Sequence, residues 1–318
     1  MKALVFEAFG SADVLQWREH PMPVCGPGQA LVRMHAVGLN YADVYRRKGN
    51  YHLKGSPPWI LGYEGAGVIE EGGDSGFAAG TRVGFADMPH ANAELVAVDA
   101  DKLIPLPEGI DFELAAAVLL QGLTAQYLVT DSHVPRSGEI AIVHAAAGGV
   151  GLLLTQMLAT RGVRVLGIAS SREKRAAVLD AGAEATADYE NWSAQALALS
   201  EGKGVDVVYD SVGRTLGESL AAARVGGHVV FYGMAAGDPD PVDPRLLMDR
   251  SLSLTGGDLW NVLVNAEVRR KRAAALFEEI LDGRLRPRIA ERFPISEGAA
   301  AHRYLESRAA IGKVLLTL

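Results

Sequence analysis

The chain has 318 residues, 49% apolar and 22% charged, a soluble globular balance at a length that ordinarily divides into two domains. Its 31 Lys and Arg against 38 Asp and Glu leave a net charge of −7, a field that repels phosphate backbones and anionic membranes and argues against a dedicated nucleic-acid binder. Cys25 is the single cysteine, which excludes an intramolecular disulfide and any multi-thiolate zinc or iron–sulfur centre.

The N-terminus, MKALVFEAFG, enters an alternating strand pattern directly, without the long apolar core and cleavage site of a secretory signal, so a cytoplasmic location is expected. Up to about residue 110 the chain reads as short strands separated by Gly, Pro and Asp, clearest at Lys2–Phe6, Ala30–Ala36, Gly67–Glu71, Arg82–Phe85 and Glu94–Val98. Within this stretch NYADVYRR, from Asn40 to Arg47, has a cap-like residue followed by helical spacing and predicts one short helix. From Phe112 the pattern turns Ala- and Leu-rich, FELAAAVLLQGLTAQYLV, and Gln121–Gly122 predicts a break between two helices at a domain junction. The longest apolar stretch, Leu114–Leu120, is far short of the roughly 20 residues that cross a bilayer, so no membrane span is expected.

Beyond the junction, six short apolar runs alternate with amphipathic segments: Ile140–His144, Val163–Ala169, Ala185–Asp188, Val205–Tyr209, His228–Tyr232 and Leu252–Thr255. Such runs are buried on both faces of a parallel sheet, and six of them with intervening helices predict an α/β, doubly wound architecture. Gly162 and Gly182 stand where the helices on either side of the second run would end. The tail, Gly312–Leu318 (GKVLLTL), is strand-like and able to return to the first domain.

The strongest chemical signal is IAIVHAAAGGVGLLLTQML, residues 140–158, a glycine-rich turn between a strand and a helix. In the G-x-G-x-x-G frame Ala146 takes the first glycine position, Gly148 the second and Gly151 the third, an imperfect match. Gly148, with Ala147 before it, lets the backbone approach a pyrophosphate. The N–H groups of Gly149 and Val150 donate at the helix start, and Gly151 allows close helix–strand packing. An NAD site usually ends its second strand with a carboxylate for the ribose 2′-hydroxyl. Here the segment reads Ile168-Ala169-Ser170-Ser171-Arg172-Glu173-Lys174-Arg175, in which two hydroxyls and three cations suit a 2′-phosphate, so NADPH is the expected cofactor. The alternative is the solvated first turn of a helix, although cations there oppose the helix dipole.

Seven segments, taken in order, carry a family resemblance: GLNYADVYRRKGNY (38–51), GYEGAGVIEEGG (62–73), GLTAQYLV (122–129), HAAAGGVG (144–151), VVYDSVGR (207–214), GGHVVFYG (226–233) and ESRAAIGKVLL (306–316). Through them the chain resembles the medium-chain dehydrogenase/reductase superfamily and, within it, the quinone oxidoreductase (zeta-crystallin-like) family. The resemblance implies a β-rich GroES-like catalytic domain over residues 1–121, a Rossmann NADP-binding domain over 122–266 and a return to the catalytic domain over 267–318. Zinc alcohol dehydrogenases of the superfamily carry a Cys in the position of Asn40, a His in that of Tyr63 and a further ligand near Gln121; all three are replaced, and a metal-free protein is expected. Glu64 and Asp43 remain, a poor zinc site by themselves.

Without a Lewis acid, reduction of an acceptor that is already electrophilic fits better than alcohol oxidation. The resemblance therefore implies NADPH-dependent reduction of a quinone, with an enone or alkenal double bond as the alternative acceptor. A reading of another class is an NADPH-binding protein with little turnover that binds RNA or senses redox state. Its sequence support is the basic run Arg269–Arg272, most simply the exposed face of a helix running to Leu281. The resemblance places Asn40, Tyr45 and Thr124 near the nicotinamide and turns Tyr45 and Tyr51 to the acceptor, with Asn40, Tyr45 and Tyr51 as the catalytic candidates. Around the adenosine phosphate it adds Ser170, Lys174 and Tyr189 to Ser171 and Arg172; on the nicotinamide side it adds Tyr232, Gly233 and Met234 and, less closely, Gly256 and Gly257. Trp260 lines the acceptor pocket or packs a loop. A homodimer through the sheet edge at Leu252–Thr255 is expected. His144 reads as a buried, satisfied histidine, and Asp131, Ser132 and His133 lack the nucleophile elbow of an acyl hydrolase.

Overall fold

Side chains two residues apart share a face of a strand, and the alternation in the first third of the chain builds one apolar core. A computed structural model describes residues 1–53 and 55–318, and the chain divides into two units: Met1–Leu123 with Leu263–Leu318, and Thr124–Val262. In chain order the first unit opens with β1 (Lys2–Phe6), β2 (Gln16–Glu19), β3 (Gln29–Leu39), α1 (Tyr41–Lys48), β4 (Trp59–Ile60), β5 (Glu64–Glu71), β6 (Arg82–Ala86), β7 (Leu95–Asp99), β8 (Ile104–Pro105) and α2 (Phe112–Tyr127). All five expected strands form, as does the helix after Asn40. β5 starts three residues earlier than its pattern suggests because its glycines serve packing: a Cβ at Gly67 would lie 2.0 Å from the Arg33 carbonyl oxygen. The short or polar strands β2, β4 and β8 carry too little alternation to be read in advance.

One expectation for the junction is corrected. The helix does not break at Gln121–Gly122; α2 runs through both residues and continues as a π-helical turn, Leu128–Ser132. Gly122 is there for contact, since a Cβ on it would sit 2.7 Å from a Leu276 methyl. The whole helix, Phe112–Ser132, has 21 residues and is long and apolar enough by length and composition to cross a membrane, which the count of uninterrupted apolar residues missed. With 67% of its apolar window buried in the protein, it has the make-up of a core helix.

The second unit contains β9 (Ile140–Val143), α3 (Gly149–Ala159), β10 (Arg164–Ile168), α4 (Arg172–Asp180), β11 (Ala185–Ala187), α5 (Trp192–Leu199), β12 (Val205–Asp210), α6 (Leu216–Ala222), β13 (Ala223–Phe231), α7 (Pro244–Arg250), β14 (Ser253–Gly256) and α8 (Leu259–Val262). Its six strands are all parallel in the order β11-β10-β9-β12-β13-β14, the doubly wound α/β sheet expected. The order reverses between β9 and β12, and the carboxyl ends of these strands are the switch point at which ligands of such sheets bind.

The chain returns through α9 (Ala266–Leu281), β15 (Ile289–Pro294), α10 (Gly298–Glu306) and β16 (Lys313–Thr317). As the tail sequence suggested, β16 joins the first unit: it lies antiparallel to β3, with Val314 opposite Leu39, and parallel to β15. The basic run on α9 is not an exposed face. Arg269 is buried and donates to the carbonyls of Asp101 and Leu263, and Arg270 donates to those of Leu103 and Ala100. Two of the four cations thus satisfy backbone oxygens of the β7–β8 connection, a demand invisible in α9 itself.

The return also buries His302 against α1. Arg47 donates to His302 Nδ1 at 3.0 Å, to the Gly10 carbonyl and to Glu306, so Nδ1 keeps its lone pair and the ring is neutral. Burial, reinforced by the Arg47 charge, pulls the His302 pKa from near 6.5 to about 3. The unfolded chain therefore binds a proton that the folded one refuses across this window, and stability must fall with acidification from about pH 6.5 toward 3, by up to about 1.4 kcal/mol per pH unit. Urea midpoints measured at pH 7 and pH 5 should show this loss, and His302→Gln, which retains a neutral acceptor, should flatten it; an unchanged slope in the variant would assign the acid sensitivity elsewhere.

Candidate active site

Asn40 precedes α1, where an Asn can bond to the first free amides; its backbone N–H donates to the Asp43 carboxylate at 3.0 Å, while its carboxamide turns inward. Nδ2 donates to the Gly38 carbonyl at 3.0 Å and to Glu64 Oε2 at 2.9 Å. Oδ1 accepts from Gln121 Nε2 at 3.2 Å and from Lys313 Nζ at 2.9 Å. Both N–H groups and both lone pairs of Asn40 are thereby used within the protein.

Glu64, with no exposed surface, accepts from the Leu120 N–H through Oε1 at 2.6 Å and from Lys313 Nζ through Oε2 at 2.5 Å. Gly38 makes room for it: a Cβ there would lie 2.3 Å from Glu64 Oε2 and 2.2 Å from the Ala116 carbonyl. Burial lowers the Lys313 pKa, and Glu64 opposes that by favouring the ammonium form. Burial likewise pushes the Asp43 carboxyl upward against the pull of Arg46, whose Nη1 is 3.7 Å away. Two cations and two anions share this buried region. Sequence reasoning noted Glu64 and Asp43 but missed Lys313, which stands at the head of the apolar strand β16.

The three positions compared with zinc ligands thus hold an amide, a phenol and an amide, and an internal ammonium lies between Asn40 Oδ1 and Glu64 Oε2. This donor set does not fit zinc, which takes thiolate, imidazole or carboxylate and is repelled by a fixed cation. Tyr45 on α1 and Tyr51 just beyond it meet edge to face with ring centroids 6.1 Å apart, so the structure brings these two candidates together.

In the second unit the glycine turn leaves β9 and α3 starts at Gly149, with Gly148 in extended conformation ahead of it. A Cβ at Gly151 would be 2.5 Å from the Ala145 carbonyl oxygen and 2.7 Å from Ala146 Cα, so glycine is required for the helix to lie against the turn. At Gly148 a Cβ would crowd the Ala145 oxygen at 3.2 Å, and the first amides of α3 follow it without intrahelical partners. The turn is therefore a backbone cradle with a helix N-terminus behind it, which fits a pyrophosphate. At the end of β10, Ser171 caps α4 by accepting from the Lys174 N–H at 3.2 Å, and Ser170 and Arg172 are exposed beside it. The Tyr189 hydroxyl accepts from the Ala145 N–H at 3.0 Å, which brings the adenosine-side candidates to the glycine turn. Tyr232, Gly233 and Met234 follow β13, and the Gly257 N–H donates to the Phe231 carbonyl at 3.0 Å, so these and Gly256 collect at the ends of β13 and β14. Thr124 lies in α2, nearly buried.

His144 is buried, as expected, but only one of its nitrogens is satisfied. The hydroxyls of Ser219 and Thr215 both donate to Asp210 Oδ2 at 2.7 Å, so Ser219 Oγ accepts from His144 Nε2–H at 3.1 Å, and Nδ1 has no partner among the described residues. Burial draws the His144 pKa down to about 4, against the pull of Asp210. A ring that stays neutral behind the turn is a packing element, and Asp210, which also accepts from the Val212 and Gly213 N–H groups, organises the loop after β12.

Comparison with known proteins identifies the family of the chain. Residues 26–135 match the alcohol dehydrogenase GroES-like domain and residues 149–274 the zinc-binding dehydrogenase domain. The chain is 40% identical to a quinone oxidoreductase of Pseudomonas aeruginosa over 99% of both chains. It is 35% identical to a 2-haloacrylate reductase of a Burkholderia species over 99% of this chain and 98% of that one. A crystal structure of Escherichia coli quinone oxidoreductase complexed with NADPH superposes with a TM-score of 0.96 at 32% identity, covering 100% of each chain.

Removing Lys313 alone strands the Glu64 carboxylate without water or counter-charge. Lys313→Met should lower the unfolding free energy by about 3–5 kcal/mol, whereas Lys313→Met with Glu64→Gln should recover more than half of the loss. Urea denaturation at pH 7 checks both, and a double variant no more stable than the single one would mean that the ion pair is not the dominant contact of either residue.

Proposed function

The chain belongs to the quinone oxidoreductase family of the medium-chain dehydrogenase/reductase superfamily, and from that premise we propose that it is an NADPH-dependent quinone oxidoreductase working without a metal ion. The observation that carries the reading is the Lys313–Glu64–Asn40 cluster, which sets a fixed ammonium against Asn40, one of the three positions compared with zinc ligands. With no Lewis acid to stabilise an alkoxide, the acceptor must be electron-poor before it binds.

NADPH, when bound, supplies a hydride to such an acceptor. The protein's part is to hold, orient and exclude water. The N–H groups of Gly149 and Val150, beside Ala147 and Gly148, hold the pyrophosphate, and Gly151 keeps α3 close enough for them to do so. Ser170, Ser171, Arg172 and Lys174 take the 2′-phosphate, with Tyr189 beside them. Thr124, Tyr232, Gly233, Met234, Gly256 and Gly257 shape the nicotinamide side. Asn40, its carboxamide saturated by four protein contacts, fixes the start of α1, and α1 and the loop after it present Tyr45 and Tyr51 to the acceptor oxygen. A phenol hydrogen bond there stabilises the oxyanion as it forms and offers it a proton.

The similarity to a 2-haloacrylate reductase favours activated alkenes as a second acceptor class, since a conjugated double bond needs the same alignment. The RNA-binding reading loses its support, because Arg269 and Arg270 are committed to backbone carbonyls. The partner is accordingly a small electrophilic molecule. A homodimer pairing through the β14 edge and a cytoplasmic setting away from membranes complete the proposal.

Following NADPH and NADH absorbance against a panel of quinones and alkenals tests it. NADPH should be oxidised with quinones at a rate untouched by chelators, and NADH poorly. Lys174→Ala, which deletes a charge-assisted contact, should raise the KM for NADPH on the order of 10–100-fold and leave that for NADH unchanged. Equal use of both nucleotides by the native protein would overturn the 2′-phosphate assignment, and turnover confined to alkenals would transfer the activity to the second class.

A further inference from the structure

The last turn of α1 carries Arg46, Arg47 and Lys48, but only Lys48 is on the surface. Arg47 is explained by His302, Glu306 and the Gly10 carbonyl. Arg46, 2% exposed, is not explained by charge pairing alone, since its nearest carboxylate contact is Asp43 Oδ1 at 3.7 Å. Its guanidinium carbon lies 3.5 Å from the ring centroid of Tyr63 and 5.0 Å from that of Tyr51, and its Nε donates to the His52 carbonyl at 3.0 Å. One buried cation is thus held between two phenol rings and tied to the backbone of the residue next to Tyr51.

We propose that Arg46 is a positioning residue that holds the Tyr51 phenol over a buried cation, so that Tyr51 readily gives its proton to the reduced acceptor. This rests on the quinone-reductase reading. A cation against a ring face withdraws electron density and stabilises tyrosinate more than tyrosine, which makes the phenol a stronger donor. Reduction of a quinone carbonyl places an electron pair on its oxygen. The Tyr51 O–H bond breaks as the new O–H bond of the quinol forms, the phenolate is left beside the guanidinium, and water returns the proton.

Other groups face the same region: Asp43 on α1, the His52 ring 4.8 Å from that of Tyr51, Tyr45 at 6.1 Å, and Tyr63 beneath the guanidinium. Asp87 and Asp43 act on Tyr63 against Arg46, and Lys313 offsets Asp43. Among them Arg46 is the cation on the Tyr51 ring and the anchor of its loop.

Steady-state pH profiles with a quinone, and an absorbance titration of tyrosinate with no acceptor present, test the inference on the full-length protein. kcat should fall on the alkaline side as Tyr51 loses its proton, and Tyr51→Phe should remove that limb. Arg46→Met should move the limb upward by about one pH unit and lower kcat at pH 7 roughly three- to tenfold, while KM for NADPH stays near its native value. Arg46→Lys, which restores the charge, should return the limb toward its native position. Because Arg46→Met strands Asp43, Asp43→Asn with Arg46→Met serves as the charge-balanced second variant, with the same shift expected. A limb that stays in place in both Met variants, or persists in Tyr51→Phe, overturns the inference. Absence of quinone turnover in the native protein would overturn the quinone reading instead, and the tyrosinate titration of native and Arg46→Met proteins would still decide whether Arg46 acts on Tyr51.

Discussion

The first unit depends on one ion pair between residues 249 positions apart, Lys313 and Glu64. Neither charge reaches water, so each is tolerable only because the other is present and the remaining oxygen and lone pairs are bonded by Leu120 and Asn40. The pair joins β16 to β5, and through Asn40 and Gln121 it reaches the start of α1 and the middle of α2. Four elements distant in sequence are thereby set relative to one another at a single point. Gly38 belongs to the same constraint, for no side chain at that position could coexist with the carboxylate. The unit cannot be completed until the C-terminal strand is available, which makes it a structure of non-local contacts that forms late.

The same constraint bears on chemistry. A buried ammonium supplies positive charge, but two of its three N–H bonds are directed at Glu64 and Asn40 and its side chain is buried, so it is not an open coordination position of the kind a metal offers. On the proposed reading, what remains for the acceptor is aromatic and phenolic: Tyr45 and Tyr51, with Arg46 against the second ring. Such a surface suits a flat, electron-poor molecule that needs alignment and a proton more than activation. On the proposed reading the absence of zinc and an electron-poor acceptor go together, since the Asn40 carboxamide is saturated by protein partners and has no group left to hold an alcohol.

Features imposed by the backbone were legible in the sequence. The turn at Ala145–Gly151 could be read because Gly151 has no steric alternative, and the six parallel strands because a strand buried on both faces must be apolar throughout. Features imposed by a distant partner were not. Gly122 looked like a helix break because the Leu276 side chain that needs its missing Cβ is some 150 residues away in sequence. Arg269 and Arg270 looked like a solvated face because the carbonyls they satisfy belong to another part of the chain. Lys313 and Arg46 sit in runs whose local pattern accounts for them as a strand start and a helix end. His144 was read correctly as buried, whereas the hydrogen-bond direction that leaves Nδ1 bare depends on Asp210 and Ser219.

The nucleotide end of the second unit shows how a local electrostatic conflict can specify a ligand. Three cations, Arg172, Lys174 and Arg175, surround the one anion, Glu173, in the first turn of α4, where the helix dipole disfavours each cation by about 0.3–1 kcal/mol. Arg175 donates to the Ala169 carbonyl at 3.3 Å, and the charge at the start of α7 is matched locally by the Arg245–Asp243 pair. A phosphate group reverses the balance, because it is favoured both by the helix end and by the cations that the helix end disfavours. Ser171 allows this: it caps α4 without placing a second negative charge where the phosphate must sit, as an Asp in the same position would. On the proposed reading, a preference for a 2′-phosphate comes as much from the carboxylate that is missing at the end of β10 as from the lysine that is present.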